Sequence, residues 1–313
     1  MRRIALFLVV AAAGCGAAAT TTANSDLLEG FSPPAPPANA RQVILPIVRN
    51  LMPGSDNELC TWTDMIADKD LDVKAVEGFQ SLTGHHVVLY ATKVMQPVGT
   101  TRVCTDEDMA TFRFAAGAGG EGQAGKNEAP GNLTYRVAAG SQIVLNHHYI
   151  NASTRIVDAQ SAMTLYYADP GTHYIPSSSL AFVDTTLKLP PGAASLDINC
   201  KMQQDLNSWF VIPHMHHWGS HIVIDRTSGM QKDTLFDIAW ADEYQFHPPE
   251  IRKAPDAPFV FNKGDTMHVH CDWQNDTGKN LTFGLEMCVA YAATIDANGV
   301  GNQACDAGQW TDF

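Results

Sequence analysis

Beyond the first forty residues, apolar and β-branched side chains come in short runs broken by turn signals. The runs fall at residues 42–48, 86–90, 142–149, 163–167, 221–224 and 266–273. Pro53-Gly54, Pro191-Gly192 and Lys263-Gly264-Asp265 stand between them. Branched and aromatic side chains fit a pleated surface, and Gly and Pro end it, so each run predicts a strand. Many short strands in succession predict an all-β chain of sandwich or barrel type. One short helix is expected at 106–112, and no long amphipathic helix. The Gly- and Glu-rich stretch 117–131 is expected to be a mobile loop. The length of 313 residues suits about two domains. A boundary near 151–158 would divide the whole chain into nearly equal halves, with the two domains expected at 40–152 and 158–313 and no strong internal repeat.

The N-terminus has a different pattern. Arg2 and Arg3 precede an apolar run over 4–13, too short to cross a bilayer and suited to a signal-peptide core. It ends in Ala12-Ala13-Gly14-Cys15, which resembles a bacterial lipobox, with Ala12 where leucine is usual. On that reading residues 1–15 are signal and Cys15 is lipidated; ordinary cleavage within 17–19 is the alternative. Residues 16–39, rich in Ala, Thr and Pro, read as a tether. The expectation is an exported protein, anchored as a lipoprotein in the periplasm or at the cell surface, that meets the membrane only through this anchor.

With 33 acidic and 20 basic residues the formal net charge is −13. Such a surface repels phosphate, which argues against nucleic acid as a partner. Seven cysteines are present, and setting Cys15 aside leaves Cys60, Cys104, Cys200, Cys271, Cys288 and Cys305. An even number in an oxidising compartment predicts three disulfides, with fifteen pairings open.

Twelve histidines fall largely into groups: His85-His86, His147-His148, His214-Met215-His216-His217 and His268-Val269-His270. On a strand, residues two apart face one side, so His214 and His216 can reach one ion. A solvated strand face is the alternative. Adjacent residues face opposite sides, so His85-His86 by itself reads as one buried and one exposed histidine, unless the backbone turns at Gly84. Of His147 and His148 at most one is expected to be a ligand, its neighbour lying at the surface or behind the ligand. Met287 by spacing alone reads as core, although its thioether suits Cu(I).

Taken together, four segments resemble the copper type II, ascorbate-dependent monooxygenases, the family of peptidylglycine α-hydroxylating monooxygenase and dopamine β-monooxygenase. They are Gly84-His85-His86-Val87-Val88-Leu89-Tyr90, Val144-Leu145-Asn146-His147-His148-Tyr149, His214-Met215-His216-His217-Trp218-Gly219 and Glu286-Met287-Cys288-Val289-Ala290-Tyr291. They occur in the family's order, and the resemblance runs from about Ala40 to Cys305.

The resemblance implies two antiparallel, jelly-roll-like β-sandwiches packed across a wet cleft. It implies an electron-transfer copper held by His85, His86 and His148, and an oxygen-binding copper held by His214, His216 and Met287. It pairs Cys60 with Cys104, Cys200 with Cys305, and Cys271 with Cys288. The last bridge would clamp the backbone beside Met287 and, in the chain-entropy picture, is worth about 3 kcal/mol. The implied reaction hydroxylates an activated C–H bond of a small molecule with O2 and ascorbate or another one-electron reductant.

The chain departs from the family where substrate would bind. Ile212 stands where the peptide hydroxylases carry an arginine for the substrate carboxylate, and Val289 replaces an asparagine, while Tyr291 keeps the family tyrosine. A less polar substrate than a peptide C-terminus is therefore expected. His268 and His270 match no family ligand; a supporting or extra metal role is open to them. His173, His217, His221 and His247 read as structural or surface. Rival readings are a non-catalytic copper-binding protein of the periplasm or cell surface, a zinc hydrolase, and a purely structural surface domain.

Overall fold

The structure, a computed structural model, describes residues 27–119, 124–245 and 247–312. The signal region and Cys15 lie outside the described residues. Every run expected to be a strand lies in or overlaps one, and the protein is all-β. The short helix forms at Asp106–Thr111. Thr105 caps it: its hydroxyl accepts from the Asp108 amide while the Asp108 carboxylate accepts from the Thr105 amide, satisfying two end donors reciprocally.

The first half is a sandwich. One face is a five-stranded sheet in the order Thr101–Val103, Asp56–Ile66, Gln142–Ile150, Gly84–Thr92, Arg113–Ala118. The other face carries Ala40–Ile44, Ser161–Tyr167, Leu71–Gln80 and Leu133–Val137. Val87, Leu89, Ile143 and Leu145 from one sheet meet Val73, Val76, Met163 and Leu165 from the other in a single core. The second half packs Ile175–Val183, Val289–Ile295 and Leu206–His214 against a four-stranded sheet of Gly192–Lys201, Thr266–Asn275, Gly219–Ser228 and Gln231–Ala239. Phe182, Val211, Ile222, Ile224, Val269 and Trp273 fill that core.

The halves share one sheet. Leu133–Val137 pairs in parallel with Ile175–Val183, so a single sheet of twelve strands runs through both. Trp209, from the second half, is buried in the first core. The expected boundary at 151–158 is corrected accordingly. Val157–Ala159 pairs with Val48–Leu51, and Ser161–Tyr167 lies between Ala40–Ile44 and Leu71–Gln80. The chain leaves the first sandwich only between Tyr167 and Ile175.

Two other expectations change. The tether is docked from Leu27 onward, with Phe31 buried against Phe79 and Ala162 and the Leu28 amide donating to Gln160 Oε1 at 2.7 Å. Leu27, Leu28 and Phe31 supply apolar surface that the Pro-rich composition conceals. The supposed loop at 117–131 contains the strand Gly125–Glu128, hydrogen-bonded to Leu71–Gln80. Three disulfides join Cys60 to Cys104, Cys200 to Cys305 and Cys271 to Cys288, the pairs the resemblance implies. Disulfides belong to oxidising compartments, so the protein is exported or extracellular. No helix among the described residues is long and apolar enough to cross a membrane.

Candidate metal centres

His85 and His86 sit near the start of Gly84–Thr92, and His148 near the end of its neighbour Gln142–Ile150. His148 pairs with His86, but Tyr149 pairs with Gly84, so His85 is an extra residue in its strand. That is a β-bulge, which re-aims a side chain that strict alternation would send to the opposite face. His85 Nδ1 and His86 Nδ1 come within 3.0 Å. The three rings form a near-equilateral group, with centroids 5.1, 5.3 and 5.0 Å apart, and one nitrogen from each lies within 4.8 Å of the others.

A buried amide braces this cluster. Gln80 Nε2 donates to the carbonyls of His86 at 3.1 Å and His148 at 3.4 Å. Gly84 is needed beside it, because a Cβ there would stand 2.4 Å from Gln80 Cβ. Asp56 bonds His148 Nε2, which leaves Nδ1 as the nitrogen to carry a ligating lone pair. The bond to His148 outweighs desolvation and holds the Asp56 carboxyl below its ordinary range. Burial, with His148 and His247 adding to it, pushes His85 down to about 4. Burial and the neighbouring imidazoles hold His86 well below the ordinary histidine value. Neutral imidazole is the metal-binding form.

His147 is neither a ligand nor at the surface. It is fully buried, with Nε2 2.9 Å from Thr61 Oγ1 and Nδ1 3.0 Å from the Tyr149 hydroxyl, and burial takes it to about 3.

The second group forms differently from the sequence expectation. The strand Leu206–His214 ends at His214, so His216 lies in the following turn rather than two places along a strand. The rings still converge, with Nε2 atoms 3.0 Å apart. Glu286 brings this about. Fully buried, it accepts from the amides of His216 at 2.6 Å and Met287 at 2.9 Å through Oε1, and of Trp218 at 3.0 Å through Oε2. One carboxylate thus ties the histidine turn to the Met287 backbone, and the Cys271–Cys288 bridge anchors the next residue. Burial, with His216 adding to it, takes His214 down to about 3.

The clusters are close enough for His214 to be among the neighbours that disfavour charge on His86. His247, expected to be structural or surface, is exposed and packs at a tilt against His85, at a centroid distance of 5.3 Å. A loop of the second half thereby reaches the first cluster. The donor chemistry fits copper: imidazole accommodates both its oxidation states, and a thioether favours Cu(I).

Ile212 and Tyr291 are Cα partners on adjacent strands. Both line a cavity of about 80 Å³ together with Tyr135, Trp209, Phe210 and Arg252. The Tyr291 hydroxyl lies 3.0 Å from Ser179 Oγ, and burial raises it to about 12. Two arginines line this space, and both are already matched to carboxylates: Arg252 to Glu250 at 2.5 Å and Arg136 to Asp72 at 2.7 Å. A neighbouring cavity of about 330 Å³, lined by Lys93, Thr111 and Arg113 among others, contains none of the expected site residues.

Sequence reasoning missed Asp56, Gln80, His247 and Glu286. Only Glu286 left a signal, as an acidic residue directly before Met287 in a stretch otherwise short of charge.

No family model matches the chain, and no curated protein matches it. Viral proteins are among the solved structures it is similar to. The major capsid protein P2 of bacteriophage PM2 is 8% identical, with 83% of this chain and 99% of that chain covered, at a TM-score of 0.36. The infectious bursal disease virus Gx strain structure is 8% identical, covering 87% and 77%, at a TM-score of 0.18. At these scores neither likeness bears on function.

Proposed function

We propose that this protein is an exported copper-dependent monooxygenase that hydroxylates an activated C–H bond of a small organic substrate, using O2 and an external one-electron reductant such as ascorbate. The observation that carries the reading is the pair of separate imidazole clusters, each braced by a buried polar side chain. His85, His86 and His148 would hold one copper, with Asp56 orienting His148. His214, His216 and Met287 would hold the other, with Glu286 fixing the turn and the methionine backbone. Bound copper would supply one-electron redox cycling and O2 activation. Ile212, Tyr291 and the aromatic wall around them would receive the substrate. The paired state of Arg136 and Arg252 supports a substrate without a free carboxylate. Anchoring through lipid on Cys15 belongs to the same reading.

The test is copper stoichiometry together with ascorbate-driven O2 consumption, assayed on a panel of benzylic amines, alkyl aromatics and glycine-extended peptides. Two coppers per chain and hydroxylated product are expected, with product lost in Met287→Ile and one copper lost in His86→Ala. Two bound coppers without product from any substrate, and unchanged O2 uptake in Met287→Ile, would instead leave a copper-binding protein without this activity.

A further inference from the structure

A third group of ligand-type side chains lies away from both clusters, on the outer face of the four-stranded sheet. His268 and His270 alternate along Thr266–Asn275 with the buried Met267, Val269 and Cys271, so both point outward. Asp197, on Gly192–Lys201, is the Cα partner of His270. His268 Nε2 lies 2.8 Å and His270 Nδ1 2.9 Å from the same oxygen, Asp197 Oδ1. The three donor atoms fall within 4.8 Å of one another.

The far sides of the two rings are the second observation. His268 Nδ1 faces Asp225 Oδ2 at 3.4 Å, and His270 Nε2 faces Asp272 Oδ1 at 3.2 Å. A carboxylate on the outer nitrogen fixes a histidine's tautomer and makes the inner nitrogen a better donor, an arrangement typical of metal-bound histidine. Each ring here has such a carboxylate, and each inner nitrogen points to one place. Asp225 is itself held by Lys232 at 2.7 Å and the Thr234 hydroxyl at 2.7 Å. Beyond Asp272, His221 bonds Asp237 at 2.9 Å.

We propose that Asp197, His268 and His270 form a surface site for a borderline divalent transition ion, Zn(II) or Cu(II), separate from both histidine clusters. Two imidazoles and a carboxylate suit these ions rather than Mg(II) or Ca(II), which take oxygen ligands. The site contains no thioether and therefore does not select Cu(I), unlike the group containing Met287. A tetrahedral ion with bonds of about 2.0–2.1 Å sets its ligands ~3.3 Å apart, so Asp197 must withdraw by a few tenths of an ångström. Its side chain is exposed and free to do so. Water would complete the coordination, since the site faces solvent.

The test is equilibrium dialysis of the full chain, stripped of metal, against Zn(II), comparing wild type with His268→Ala, His270→Ala and Asp197→Asn. The readout is the difference between wild type and variant, so ions held elsewhere cancel and the result is independent of the copper reading. We expect each variant to lose one Zn(II) equivalent at micromolar free metal, or to bind it at least 10-fold more weakly. His217→Ala should retain it, and a hundredfold excess of Mg(II) should not displace it. Melting temperatures should match wild type, because all three residues lie outside the core. Equal Zn(II) binding by wild type and all three variants would overturn the proposal and leave the cluster as a ladder of ion pairs.

Discussion

In the first half of the molecule, two adjacent histidines reach one face because a strand gains a residue at His85. In the second half, His214 and His216 meet because a strand stops between them. Regular strand geometry would have separated the first pair and aligned the second; neither cluster is built by it. Each irregularity has its own buried polar brace. Gln80 donates its amide to backbone carbonyls of His86 and His148, whereas Glu286 accepts three backbone amides around His216, Trp218 and Met287. A carbonyl with one lost donor still has other lone-pair options. Three amides aimed at one buried carboxylate have none without local rearrangement, so the second brace should be the more costly to remove.

Glu286→Ala should therefore give the largest effect. Charge-assisted hydrogen bonds contribute about 1.5–3 kcal/mol each and are not additive, so a loss of about 3 kcal/mol or more is expected in denaturant melts. Copper stoichiometry should fall by one, with the His85/His86/His148 site retained. Loss of both coppers would break the comparison and show that the shared sheet couples the two centres.

Gly84→Ala probes the opposite brace. A Cβ there collides with Gln80, and overpacking of this kind costs about 1–3 kcal/mol. The expected result is the mirror image, with the first copper weakened and the second intact. An unchanged first site would mean that Gln80 does not hold the bulge.

Asp56→Asn is the mildest of the three. Replacing a carboxylate behind a metal-bound histidine lowers metal affinity by about 10–100-fold, and the exposure of Asp56 favours the lower end. Titration against a Cu(I) chelator should show about a 10-fold weaker first site with thermal stability near wild type. A larger loss at the second site than at the first would contradict the assignment of Asp56 to His148.

The sequence by itself determined the all-β class, because runs of branched residues between Gly and Pro encode strands locally. It also determined the helix at Asp106–Thr111, whose cap lies within four residues of chain. It brought His85, His86, His148, His214 and His216 forward as a set, though spacing alone left most of them as ordinary histidines. Only the tertiary structure decided how they meet. A bulge is defined by the partner strand, and Gln142–Ile150 lies about fifty residues beyond Gly84–Thr92 in sequence. Glu286 reaches the His216 turn, and His247 reaches His85, by contacts that no local pattern encodes. The same holds for the boundary between the halves. Ser161–Tyr167 is an ordinary strand in sequence and belongs to the first sandwich only because it pairs with Ala40–Ile44 and Leu71–Gln80.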